Sequence, residues 1–356
     1  MDKTGILLDR LGIAHPIVQA PMIGPKPALA AAVSAAGGLG SLGCAASSRD
    51  QVRADAETIR ARTDRPFNLN FFAHRRPPPD AEREAGWRRR LARYDAEFDL
   101  DPDTQVAVAE RAPFDAAMAG LVAELRPAVA SFHFGLPDEA LLAPVRAAGC
   151  AILASATTVR EARWLAERGV DAIIAQGAEA GGHRSMFLTE DVAGQIGTFA
   201  LVPQVADAVD LPVIAAGGIA DGRGVAAALM LGAAAVQVGT AYLLCPEAGI
   251  SALHRAALLA AGDEDTALTN VFTGRPARGL RNRALRELGP LSADAPAFPR
   301  AAAALQPLRA AAEARGSADF TPLWSGQAAA LARETGAADL TAALARAAAQ
   351  TLGMQP

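Results

Sequence analysis

The chain has 356 residues, a net charge of −4 and a hydrophobic content of 51%, which is enough for a large core in one or two domains. This weakly acidic charge gives no reason to expect nucleic acid or an anionic membrane as a partner. Lys3 and Lys26 are the only lysines, so a Schiff-base mechanism has almost no candidate residue. A small molecule is the expected partner.

Cys44, Cys150 and Cys245 are an odd number of cysteines at irregular spacing, which fits neither a disulfide framework nor a zinc site. The N-terminus lacks the apolar core of a signal peptide, and glycines break the alanine-rich runs well short of a membrane-spanning length. We therefore expect a reduced, soluble and cytoplasmic protein without a metal site. The sequence leaves the oligomeric state open.

Short apolar strands alternate with helical patterns, which is typical of β-α-β units around a parallel sheet. The predicted strands are Ile17–Met22, Leu39–Gly43, Phe67–Phe72, Val129–Phe134, Ala151–Ser155, Ala172–Gln176, Pro212–Ala216 and Ala234–Gly239. The predicted helices between them are Pro27–Ala36, Ser48–Thr63, Pro137–Ala148, Val159–Arg168, Asp221–Leu231 and Gly249–Ala261. The number of strands favours a TIM (β/α)8 barrel over a doubly wound sheet.

Two regions do not fit this repeat. The charged insertion after the third strand, about residues 73–112, is interpreted either as a lid over the site or as a solvated connector, because mixed-sign charge usually faces water. The C-terminal region contains a strand-like NVFTG, a loop RPARGLRNR and alanine-rich helices. We predict a barrel over residues 1–262 and a mainly helical extension, residues 263–356, packed on it.

The segment DAIIAQGAEAGGHRSMF, residues 171–187, is the most informative in the chain. A buried strand breaks there into a glycine-rich loop that holds His183, and in barrels the catalytic groups lie at the C-terminal ends of strands. Glycines in such a loop let backbone N–H groups approach a ligand. His15, His74 and His254 lie away from the predicted strand ends and are interpreted as structural or surface residues.

The last two barrel loops have the composition of a phosphate site. AAGGIADGRG places Gly217 and Gly218 at a strand end before a helix, and VQVGTA repeats the arrangement one unit later. Backbone N–H groups form phosphate pockets at this position of TIM barrels, although tight turns that need glycine are the alternative. Asn70 and Gln176 at other strand ends suit an amide-bearing ring, so the pattern indicates FMN. No G-x-G-x-x-G opens a helix after a strand, which argues against resident NAD.

Six long segments of the sequence carry a family resemblance: QAPMIGPKPALAAAVSAAGGLGSLG, FNLNFF, SFHFGLP, ASATTVREARWLAERGVDAIIAQGAEAGGHR, VIAAGGIADGRGVAAALMLGAAAVQVGTAYL and NVFTGRPARGLRNR. Together they resemble the nitronate monooxygenases, from about Val18 to the DFTPLWSGQAA segment, skipping the charged insertion. The resemblance implies an FMN-containing TIM barrel. It also implies oxidation of an alkyl nitronate or nitroalkane, such as propionate 3-nitronate, by O2 to a carbonyl compound and nitrite.

The resemblance also implies roles for individual residues. His183 would be catalytic, and His133 and Met22 would lie in the substrate pocket. The implied FMN contacts are Met22, Asn70, Gln176, Gly181, Gly218, Gln237, Val238, Gly239 and Thr240, to which the phosphate argument adds Gly217. The chain departs from the family at Ser185, where a glycine commonly follows GGHR, and in having only two tyrosines. Both departures bear on substrate preference more than on reaction type.

The chemistry is consistent with one base and a flavin. A histidine with a pKa near neutrality is suited to remove the α-proton of a neutral nitroalkane. A nitronate needs no base, and a protonated His183 could instead bind that anion electrostatically. By analogy with the family, the nitronate gives one electron to oxidised FMN, and O2 then traps the radical pair.

Other flavin barrels are the rival interpretations. The enoyl-acyl carrier protein reductases share an EAGGH loop but use NAD(P)H, as an NADH:quinone reductase would; the GGHR-x-x-F continuation favours the monooxygenase. A barrel that resembles inosine-phosphate dehydrogenase needs a nucleophilic cysteine on a catalytic loop, which neither Cys150 nor Cys245 provides. From another class, a flavin-binding barrel without turnover is the remaining alternative.

Overall fold

The computed structural model describes residues 2–22, 24, 26–101 and 111–353. Strands are numbered in chain order. The central sheet contains β1 (Ile17–Gln19), β2 (Gly40–Gly43), β3 (Phe67–Phe72), β4 (Val129–His133), β5 (Ala151–Ala156), β6 (Ala172–Gln176), β8 (Val213–Ala216) and β9 (Ala235–Val238). A second, antiparallel sheet contains β7 (Gly182–His183), β10 (Thr266–Thr269) and β11 (Ala277–Leu280).

The eight strands of the central sheet are parallel and follow the order β1-β9-β8-β6-β5-β4-β3-β2. Its two edges meet at Leu39, which donates its N–H to the carbonyl of Ile17 and accepts the N–H of Gln19, each at 2.9 Å. The sheet thereby closes on itself with helices outside it, which confirms the predicted TIM (β/α)8 barrel. The C-terminal ends of the strands share one rim.

Helices connect and surround the strands: α1 (Lys3–Leu11), α2 (Pro27–Ala35), α3 (Arg49–Arg60), α4 (Ala81–Glu97), α5 (Ala116–Leu125), α6 (Glu139–Ala147), α7 (Val159–Ala166), α8 (Thr198–Ala208), α9 (Gly222–Met230), α10 (Thr240–Leu243), α11 (Ala252–Ala260), α12 (Arg283–Leu288), α13 (Ala301–Ala314) and α14 (Ala337–Thr351). Several begin at a side-chain cap. Asp221, for example, accepts the N–H groups of Arg223 and Gly224 at the start of α9. Among the described residues, no helix is both long and apolar enough to cross a membrane.

The barrel interior is filled by small and branched apolar side chains. Leu153, Ile174 and Ile214 point inward and cluster with Leu7 and Leu11 of α1. Helix α1, which the sequence pattern did not predict, therefore closes the N-terminal end of the barrel. The opposite end, where the strands finish, is the end that holds the large cavity described below.

The charged insertion contributes to a second apolar core. Trp87, Leu91 and Tyr94 on one face of α4 are buried against the C-terminal extension, where Phe320 and Leu308 belong to the same cluster. The charged residues of α4 face outward, as expected of a solvated connector, while its apolar face packs and makes α4 part of the second core. Residues 102–110 of the insertion lie outside the described residues.

Several predicted boundaries are corrected by the structure. Strand β1 stops at Gln19 instead of Met22, close to Pro21, which has no N–H to donate to a neighbouring strand. The segment NVFTG is a turn, not a strand, and the strands β10 and β11 lie on either side of it. The predicted loop RPARGLRNR contains β11.

Candidate active site

A cavity of about 410 Å³ opens at the C-terminal rim of the barrel. It is lined by residues predicted for the site: Met22, Asn70, His133, Gln176, Gly181, His183, Gly217, Gly218, Gln237, Gly239 and Thr240. Val238 is the exception, because its fully buried side chain belongs to the core between the barrel and its outer helices. Alternation along β9 explains this correction: Gln237 and Val238 face opposite sides of the strand.

His183 is held over this rim by the second sheet. It pairs with Ala277 of β11, and the preceding Gly182 has a φ of +71°, which the loop needs to turn back. The His183 Nε2 atom lies 3.0 Å from the Oγ1 of Thr273. Since that hydroxyl can donate to the carbonyl of Arg275 at 3.3 Å, we assign the His183 proton to Nε2. Nδ1 is then the basic nitrogen.

Two further predicted residues hold the backbone of the loop that carries His183. The Gln176 amide donates to the carbonyl of His183 at 3.0 Å and accepts the N–H of Ser185 at 2.9 Å. The Nε2–H of His133 donates to the same His183 carbonyl at 3.1 Å. Gln176 and His133 therefore line the cavity and also fix the conformation of the residue that we interpret as catalytic.

Sequence reasoning missed two buried charged residues that complete the loop. Arg184, within the GGHR motif, donates to the carbonyls of Gln176 and Gly177 at 2.8 and 2.5 Å, and burial lowers its pKa to about 10. Glu161 accepts the N–H of Phe187 at 2.6 Å. These buried polar groups form hydrogen bonds within the protein in place of hydrogen bonds to water. Both ends of the loop that carries His183 are thereby held in position.

The electrostatics of the site keep its histidines neutral. Burial lowers the pKa of His183 well below its usual range, and the charges of Arg111 and Arg275 act in the same direction. Burial also lowers the pKa of His133 to about 3 and that of His74 to about 4. The expected near-neutral pKa of His183 is therefore corrected: His183 is neutral at pH 7, and the nearby positive charge comes from the arginines.

Aromatic rings and two further histidines surround His183. Its ring centroid lies 5.4 Å from that of Phe298 and 5.5 Å from that of Trp324. His74 lies two residues after the end of β3, and its ring centroid is 4.9 Å from that of Phe298. His254 lines the cavity and donates from Nε2 to the carbonyl of Trp324 at 3.1 Å. His74 is buried and is not among the residues that line the cavity, which agrees with its interpretation as a structural residue. His254 does line the cavity, where it was not expected.

Both tyrosines lie away from the cavity. Tyr94 packs on Phe320 with 5.1 Å between ring centroids, and the Tyr242 hydroxyl is 2.8 Å from the Oγ1 of Thr341. The aromatic lining of the site therefore comes from phenylalanine and tryptophan. Ser185, the other departure noted in the sequence, has a buried hydroxyl without a hydrogen-bond partner among the described residues.

Comparison with known proteins agrees with this geometry. A family model described as nitronate monooxygenase matches residues 5–346. Curated nitronate monooxygenases of Pseudomonas aeruginosa and Paraburkholderia phytofirmans are each 46% identical, covering 93% and 97% of this chain and 95% and 96% of their own. The solved nitroalkane oxidase from Streptomyces ansochromogenes is 40% identical, with a TM-score of 0.87 over 98% of this chain and 99% of that one. The chain therefore belongs to the nitronate monooxygenase family of oxidoreductases.

Proposed function

We propose that the chain is an FMN-dependent nitronate monooxygenase that oxidises alkyl nitronates, including propionate 3-nitronate, with O2 to a carbonyl compound and nitrite. One observation carries the proposal. A neutral His183 and the cationic Arg111 line a single cavity that is also lined by glycine loops and amide side chains. Such a cavity offers a base, a charge for an anionic substrate and a backbone surface for a phosphate.

The residues present fit FMN. Gly217 and Gly218 have φ of +114° and +70°, and this conformation turns the backbone at the end of β8 in the way that phosphate-binding loops require. The Oε1 of Gln237 is buried without a hydrogen-bond partner among the described residues, as expected of an acceptor that awaits a ligand N–H. Asn70, which donates from Nδ2 to the Oγ of Ser131 at 2.9 Å, lines the same cavity.

The protein groups have separable tasks in the proposed reaction. The Nδ1 atom of His183 accepts the α-proton when the substrate arrives as a neutral nitroalkane. The guanidinium groups of Arg111 and Arg275 attract the nitronate anion, whose charge the neutral histidine does not repel. The phenyl and indole rings exclude water from the reacting carbon. Bound FMN would supply the capacity to accept electrons from the nitronate.

The test is anaerobic mixing of the purified holoprotein with propionate 3-nitronate and, separately, with NADH. We expect a yellow protein that releases FMN instead of FAD on denaturation and whose flavin absorbance bleaches rapidly with the nitronate only. Rapid bleaching by NADH would instead assign a reductase. A flavin whose absorbance changes with neither compound would indicate a flavin-binding protein without turnover. A colourless protein that cannot be reconstituted with FMN would overturn the cofactor assignment.

A further inference from the structure

A second cavity of about 620 Å³ adjoins the active-site cavity. It lies between the two ends of the charged insertion, the turn after β10 and the first half of α13. Arg111, Arg309 and Pro322 line both cavities. These three residues therefore form the boundary that the two cavities share.

The second cavity combines an apolar floor with a cationic rim. Phe272, Leu305 and Phe320 line it and are buried. Its charged lining, among the described residues, is basic: Arg76, Arg111, Arg300 and Arg309. An alkyl chain suits the floor, because burying methylene groups against such side chains is favourable. An anionic group suits the rim.

The charge of this rim is only partly neutralised. Arg300 contacts Glu84 and Arg309 contacts Glu313, each at 2.8 Å. Arg111 forms no ion pair within the described part of the chain, and its Nη1 atom is buried without a hydrogen-bond partner. A buried guanidinium nitrogen without an acceptor is costly, so this position favours a ligand that brings an anionic group.

We propose that the second cavity is a subsite for the chain of the substrate, so that the preferred substrate is a nitronate with an aliphatic chain of several carbons and a terminal carboxylate. The proposal rests on the proposed function. The nitronate carbon lies at His183, the chain passes Arg111 and Pro322, and the apolar floor receives the methylene groups. The terminal carboxylate lies among the arginines of the rim.

Octanoate binding to the holoprotein, measured by isothermal titration calorimetry, tests the subsite without any turnover. Ala302→Phe fills the second cavity, because Ala302 lines it and does not line the first. The matched control is Ala310→Phe, at an exposed position on the same helix. We expect Ala302→Phe to raise the Kd for octanoate about tenfold or more, since two displaced methylene groups alone correspond to that factor. The control should leave it unchanged.

Turnover provides the second readout, with the nitronates of 8-nitrooctanoate, 1-nitrooctane and 1-nitropropane. For the wild type we expect kcat/KM to be highest for the nitronate of 8-nitrooctanoate, lower for that of 1-nitrooctane and lowest for that of 1-nitropropane. We expect Ala302→Phe to lower kcat/KM about tenfold for the first two substrates and to leave it unchanged for 1-nitropropane. Equal kcat/KM for all three, together with octanoate affinity that Ala302→Phe leaves unchanged, would overturn the subsite while leaving the proposed function intact. If no nitronate is oxidised, the proposed function is wrong. The octanoate titration then tests by itself whether the second cavity binds an aliphatic carboxylate.

Discussion

At the scale of single residues, the neutrality of His183 defines its role. Burial and the charges of Arg111 and Arg275 oppose protonation, and Thr273 orients the ring. A neutral imidazole can accept a proton but gives an anion no charge to bind. In the proposed reaction the base and the anion-binding charge therefore belong to different side chains, and substitution can separate them.

We predict that His183→Asn lowers kcat/KM for neutral nitroethane by about 10² to 10⁴, the usual loss of a general base. The loss on preformed ethylnitronate should be much smaller, since that substrate has already lost its proton. Steady-state kinetics on both forms, normalised to the flavin content of each variant, measure the difference. Equal losses on the two forms would mean that His183 positions the substrate without acting as the base.

Local motifs made part of this site predictable. Gln176 ends β6, the glycines at 217 and 218 follow β8 directly, and His183 lies in the loop after β6, so barrel geometry places them at one rim. Arg111 and His254 carry no such signal, because they reach the cavity through the insertion and through α11. Their positions depend on tertiary packing, which a single sequence does not encode in a short pattern.

At the scale of elements, the short strand β7 links the barrel to the extension. Its pairing with β11 fixes His183 and depends on the left-handed conformation of Gly182. The eight barrel strands were predictable as apolar runs, with ends shifted by up to three residues. Strand β7 was not, because two residues form no periodic pattern and their partner lies much later in the chain.

We predict that Gly182→Ala and Gly149→Ala lower stability similarly but differ in activity. Both glycines have positive φ, +71° and +88°, and neither would place a Cβ within 4 Å of another group. Each alanine should therefore cost about 1–2 kcal/mol of backbone strain. Only Gly182→Ala displaces the catalytic loop, so only this variant should lose kcat/KM. Thermal unfolding and kinetics measure the two effects, and equal activity in both variants would count against the role of β7.

At the scale of the whole molecule, the buried histidines link stability to pH. The folded pKa of His74 is about 4 and that of His133 about 3, whereas an unfolded chain binds these protons near pH 6.5. Both pKa values are lowered by folding. The stability that neutral His74 and His133 contribute is therefore complete above about pH 6.5 and is lost as the pH falls towards 4 and 3.

We predict that acidification from pH 7 to 4.5 lowers the Tm of the wild type more than that of His74→Phe. Each buried histidine contributes up to about 1.4 kcal/mol per pH unit between its unfolded and folded pKa. Phenylalanine at position 74 suits the neighbouring aromatic rings and removes one titrating group. Differential scanning calorimetry of both proteins across this range provides the measurement. Parallel curves would show that His74 titrates normally.

His183 is held in place by β11, a strand that is synthesised after all the barrel strands. A ribosome completes all eight barrel strands before it reaches Ala277. The barrel can thus close while the loop that carries His183 still lacks the strand it pairs with. A nascent chain that stops before β10 and β11 therefore has all the barrel strands, but its His183 has no partner strand.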